Sequence, residues 1–123
     1  MIAVSSYIVF SALSGYFEAY FWNEYPRVNQ RFSHIMLTIF RAVVMVPIFW
    51  YEGLCFCIGL AFLFPLVHDG FYYETRNRIN QNVYTLGWMD HSKNTGALIS
   101  FDFPIRVILA CIGIIIITKC SIS

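Results

Sequence analysis

Four apolar runs divide this chain, and each is too long and too weakly charged to be covered by polar surface in water. They lie at about residues 2–22, 34–50, 52–68 and 104–120. Crossing the hydrocarbon core of a bilayer as a helix takes roughly 20 residues, with a range of about 17–25. The first, second and fourth runs reach or approach that length. The third, with an apolar core at Leu54–Val67, is short unless Tyr51–Gly53 or Val67–Phe71 extend it. Charged residues make up 12% of the chain and hydrophobic ones 59%, with a mean hydropathy of +0.63. An average globular domain carries roughly 25% charge, so lipid is the solvent that suits this inventory. The reading is an all-α integral membrane protein: four transmembrane helices in one small bundle, forming a single domain over residues 1–123.

The links carry the remaining polarity. "NEYPRVNQRFS" joins runs one and two, and "YEG" makes a very tight turn between runs two and three. Residues 69–103 form the one long hydrophilic stretch. Its first part reads as a cytoplasmic amphipathic segment; the turn "HDG" before it ends the third run, where Gly70 permits a sharp change of direction. A short β-hairpin is expected around Thr95–Phe101. Pro47 and Pro65 should kink their helices. The first link carries Arg27 and Arg31 and the third carries Arg76, Arg78 and Lys93, whereas "YEG" has no basic residue. Lys and Arg collect in cytoplasmic loops, so both termini are expected outside, with Lys119 as the one dissenting charge. The start "MIAVSSYIVFSAL" lacks a basic leader and reads as a retained first span.

Ionisable groups inside a bilayer cost on the order of 2.5–3.5 kcal/mol each, and so tend to face one another. Ser11, Ser14, Gly15 and Glu18 share one face of run one at i, i+3, i+4, i+7 spacing, and His34, Thr38 and Arg41 share one face of run two. Glu18 lies ~6 Å from the end of its run and Arg41 ~10 Å from the start of its own, both measured from the same predicted side. His68 and Asp69 close run three on that side, and Asp102 and Arg106 open run four there. The expected constellation is Glu18, Arg41, His68, Asp69, Tyr72 and Arg76, with Asp69, Tyr72, Tyr73 and Arg76 on one helical face. Its first reading is a structural ion-pair cluster. An ion, proton or small-solute site of an oligomeric channel or transporter is the alternative. A membrane metalloenzyme is the second alternative, weakened because adjacent His and Asp are not a recognised ligand spacing.

Asp90–His91 reads as solvated or capping. The cysteines Cys55, Cys57, Cys111 and Cys120 read as small buried apolar side chains rather than a disulfide framework. Gly15, Gly59 and Gly113 offer close-packing points for a homo-oligomer. The net charge of +1 gives no argument for nucleic acid. No cofactor motif, nucleophile elbow or P-loop occurs, so the expectation leans away from an enzyme and calls for no cofactor.

"FPLVHDGFYYETRNRIN" and "VYTLGWMDHSKNTGALISFDFPIRV", with "GYFEAYFW" and "FRAVV", resemble uncharacterised small membrane proteins of tailed phages and prophages of Bacteroidota. The shared pattern is H-D-G-x-Y-Y-x-T-R-N followed by Y-x-x-G-[FW]-x-D-x-S-x-x-[ST]. The resemblance covers most of the chain from Gly15 to Val107. It implies a mobile-element origin, residence in a bacterial inner membrane and no assigned activity. Length and span count are also those of small multidrug transporters and fluoride channels, but the residues around Glu18 and the long third link depart from them.

Overall fold

The computed structural model describes residues 2–25, 30–91 and 100–122, and among these the structure is all-helical with no strand. In chain order come α1 (Ile2–Glu24), α2 (Gln30–Phe64), a π-helical turn (Pro65–Asp69), α3 (Gly70–Ile79), a 3-10 turn (Gly87–Met89) and α4 (Phe103–Ile122). Residues 95–99 of the expected β-hairpin lie outside the described residues, and Ser100 and Phe101 belong to no strand.

Three stretches are long and apolar enough to cross a membrane: Ile2–Glu24, Phe32–Ile79 and Phe103–Ile122. The middle one contains 48 residues, which as one straight helix would run ~70 Å. It does not run straight. Gly53 sits at φ 83°, ψ 173° inside α2, a conformation open to glycine and strained for other residues. Its halves fold back on each other, so that Arg41 in the first half reaches His68 beyond the end of the second, 3.0 Å away. The tight turn expected at "YEG" is therefore present.

The "HDG" reading is corrected. The chain does not change direction at Gly70, which is helical at φ −58°, ψ −52°. The second half of α2 continues through the π-helical turn into α3, whose 10 residues all lie in the supposed polar link. Pro65 opens that turn, because a proline has no N–H for the carbonyl one turn back and the local hydrogen bonding must widen. Gly70 is needed for its missing side chain: a Cβ there would run into the indole ring of Trp88.

Tyr7, Phe56, Leu60, Leu63 and Ala110 form the buried core, with Met45, Ile48, Phe64 and Ile117 packed against it. This core joins α1, both halves of α2 and α4. Val9, Phe17, Phe40, Val43, Leu54, Ile108 and Ile114 face outward. Such an apolar exterior is costly in water and ordinary in hydrocarbon.

The glycines corrected the oligomer argument. A Cβ on Gly15 would collide with the His68 carbonyl oxygen, while Cβ atoms on Gly59 and Gly113 would come to 3.0 and 2.6 Å from each other's carbonyl oxygens. All three close-packing points are used within one chain: α1 against the π-helical turn, and α2 against α4. Three of the four cysteines also depart from expectation. Cys55 and Cys120 are joined in a disulfide, Cys57 is a buried thiol as expected, and Cys111 is an exposed one.

Candidate functional site: a buried charge cluster

α1 presents Ser11, Gly15, Glu18 and Trp22 to the interior; the first three belong to the polar stripe read from its spacing, whose remaining member, Ser14, is only half-buried. Ser11 satisfies its own hydroxyl by donating to the Tyr7 carbonyl at 2.8 Å, which leaves Glu18 as the group that needs partners from elsewhere. It finds them on two other segments. Arg41 Nη2 donates to Glu18 Oε2 at 2.6 Å, and His68 Nε2 lies 2.8 Å from the same oxygen. On Oε1, Trp22 Nε1 donates weakly at 3.4 Å and His34 Nδ1 stands at 4.0 Å. The Glu18 side chain is 5% exposed and that of His68 6%, so neither is solvated in compensation.

His68 is the hub. Its Nδ1 lies 2.8 Å from Asp69 Oδ1, so each ring nitrogen faces a carboxylate. A neutral imidazole has one N–H and can donate to only one of them. Donation to both needs the imidazolium, whose charge together with that of Arg41 balances Glu18 and Asp69. The 3.0 Å approach of Arg41 Nη2 to His68 Nε2 then follows from two donors converging on one oxygen. Phe64 and Tyr72, one turn to either side, stack on the ring with centroids at 4.6 and 6.4 Å. The Arg41 guanidinium lies 4.7 Å above Phe64, and Trp22 stacks on His34 at 5.2 Å. Aromatic faces thus pack over the cluster's charged groups.

Five of the expected residues take part: Glu18, Arg41, His68, Asp69 and, through its ring, Tyr72. Arg76 does not. No hydrogen bond or ion pair joins it to the cluster among the described residues, and its Nη1 is buried without a partner. The chain from Gly70 to Arg76 is regular helix, but a shared face says nothing of height: Arg76 stands eight residues, or ~12 Å of helix, beyond His68. Thr38 is exposed and donates to the His34 carbonyl at 2.8 Å, so the second stripe contributes only its ends. Asp102 is exposed, 3.9 Å from His91.

Arg106, expected on the same side as the cluster, forms a second centre apart from it. It is completely buried. Its Nη2 donates to the carbonyls of Trp88 at 2.9 Å and Asp90 at 2.6 Å, and the rings of Tyr73 and Phe103 lie 5.4 Å from its guanidinium carbon. Asp90 holds that collar: its carboxylate accepts the backbone N–H of Leu86 at 3.2 Å and of His91 at 2.8 Å. It caps as expected but is buried, not solvated. The available signal was Arg106 itself, because a guanidinium inside the first turn of an apolar helix must find acceptors, and the preceding loop supplies the nearest carbonyls.

Among the described residues no three His, Cys, Asp or Glu side chains are grouped as a metal ion requires. In the cluster, His68 Nε2 is already engaged with Glu18 Oε2 and Nδ1 with Asp69 Oδ1. Neither family models, curated proteins nor solved structures give a match to this chain.

Proposed function

We propose that this is a four-span integral membrane protein of the accessory kind carried by phages and mobile elements, and that its charge cluster is a structural clasp rather than a catalytic centre. Support for four spans comes from Gly53, which folds Phe32–Ile79 into two antiparallel arms. An orientation with both termini outside is supported by the basic residues of the first and third links, and a bacterial inner membrane follows only from the phage resemblance. The mobile-element origin rests on the H-D-G-x-Y-Y-x-T-R-N resemblance.

The observation that carries the clasp is the placement of His68 between two carboxylates, with Arg41 on one of them. Four ionisable groups from α1, from the first arm of α2 and from the π-helical turn are drawn together and balance in charge. Such a centre fixes helix register. A channel or transporter is the second reading, favoured by the run of titratable groups Asp69, His68, Glu18 and His34 at 2.8, 2.8 and 4.0 Å steps.

Proteoliposome flux separates the two. The clasp predicts no proton or ion flux from wild type under an imposed gradient, and a Glu18→Gln variant that is less stable. Flux by wild type that Glu18→Gln abolishes while leaving stability unchanged would establish the transporter reading instead.

A further inference from the structure

The disulfide lies at the end of the bundle away from the charge cluster. Cys55 stands two residues past the Gly53 reversal and Cys120 in the last turn of α4, with Cα atoms 6.2 Å apart. Thirteen residues separate Cys55 from His68, which is ~20 Å of helix. Trp50 and Tyr51, beside the reversal, are strongly exposed, as interfacial anchors are. Among the described residues, the basic side chains Arg76 and Arg78 belong to α3, which lies beyond the charge cluster from the reversal. Disulfides persist in oxidising compartments and are rare in the cytosol. Charge distribution and thiol chemistry are independent cues, and they orient the bundle the same way.

We infer that Cys55–Cys120 is an extracytoplasmic disulfide, made after α4 has crossed the membrane, and that it locks the outer end of α4 to the second arm of α2. This rests on the four-span reading, because that reading brings the reversal and the end of α4 to one face. The oxidant is a protein disulfide exposed on that face. The two thiols give up two electrons and two protons to form the S–S bond, and the oxidant's disulfide takes them up to become a dithiol. The lock complements two other attachments of α4: the Gly59–Gly113 crossing at its middle and the Arg106 collar at its inner end. Cys57 is buried and Cys111 faces outward from the middle of α4, so both remain thiols.

The test uses the full chain with Cys57→Ser and Cys111→Ser, expressed in a bacterium and assayed in spheroplasts and in inverted vesicles. A membrane-impermeant reductant is followed by an impermeant polyethylene-glycol maleimide, read as gel shifts. The expected result is almost no labelling before reduction and two labels per chain after it, in spheroplasts only. In cells lacking extracytoplasmic thiol oxidase activity, both labels should appear without reduction. Two labels before reduction in ordinary cells would overturn the disulfide. Two labels after reduction in inverted vesicles only would overturn its side while leaving four spans intact. One thiol reached from each side would overturn the four-span reading itself.

Discussion

Glu18→Gln is the perturbation whose cost follows most directly from the geometry. The substitution keeps side-chain volume and removes one charge from a site where Glu18 is 5% exposed. It leaves Arg41 and His68 facing a neutral amide. Removing one member of a buried ion pair costs about 3–5 kcal/mol, because the partner stays desolvated and unpaired. Two features of this site pull the value down. Arg41 is 21% exposed, so its guanidinium can recover some hydration, and His68 can shed a proton and accept from the new amide. The expectation is therefore about 3 kcal/mol. For a chain of this size that corresponds to a fall in Tm on the order of 10 °C, measured by thermal unfolding in a mild detergent. Adding Arg41→Met should restore part of the loss, because a buried pair replaced by apolar groups is often neutral. A Glu18→Gln protein within about 0.5 kcal/mol of wild type, the scale of an ordinary surface change, would refute the reasoning.

Other expectations follow from close approach and backbone geometry. Gly15→Ala puts a methyl group into the His68 carbonyl, and should destabilise by roughly 1–3 kcal/mol as overpacking does, measured by the same unfolding assay. Gly53→Ala meets open space but must adopt φ +83°, so it should cost about 1–3 kcal/mol through backbone strain alone. Equal stability of wild type and Gly53→Ala would contradict the reversal. Arg106→Met removes the donor to the Trp88 and Asp90 carbonyls, and should speed amide hydrogen exchange across residues 84–91 while leaving the α1 stripe protected.

How much of this was legible in the sequence depends on whether local spacing carries the information. The α1 stripe was legible because an uninterrupted helix keeps i, i+3, i+4, i+7 on one face, and Glu18 does point inward with Ser11 and Gly15. Arg41 was legible from its depth, since a guanidinium that far into an apolar run needs an anion. The fate of "HDG" was not. Glycine after aspartate reads as a turn, yet Gly70 serves the Trp88 ring eighteen residues on, a tertiary demand that no local pattern encodes. Arg76 was misplaced because helical spacing fixes a face and not a height: it stands on α3, ~12 Å of helix beyond His68. The Cys55–Cys120 pair, separated by 65 positions, depends on how α4 lies against α2, and cysteine spacing alone does not fix a pairing.

The central claim is that side chains from separate segments meet at one height, with the Glu18 carboxylate against the His68 ring. Dipolar dephasing between a 13C label on the Glu18 carboxylate and a 15N label on His68 Nε2, recorded in lipid bilayers, measures that contact. The account predicts strong coupling, as an N–O separation of 2.8 Å requires. Dephasing too weak for any separation within ~6 Å, the reach over which opposite charges favour each other, would contradict it.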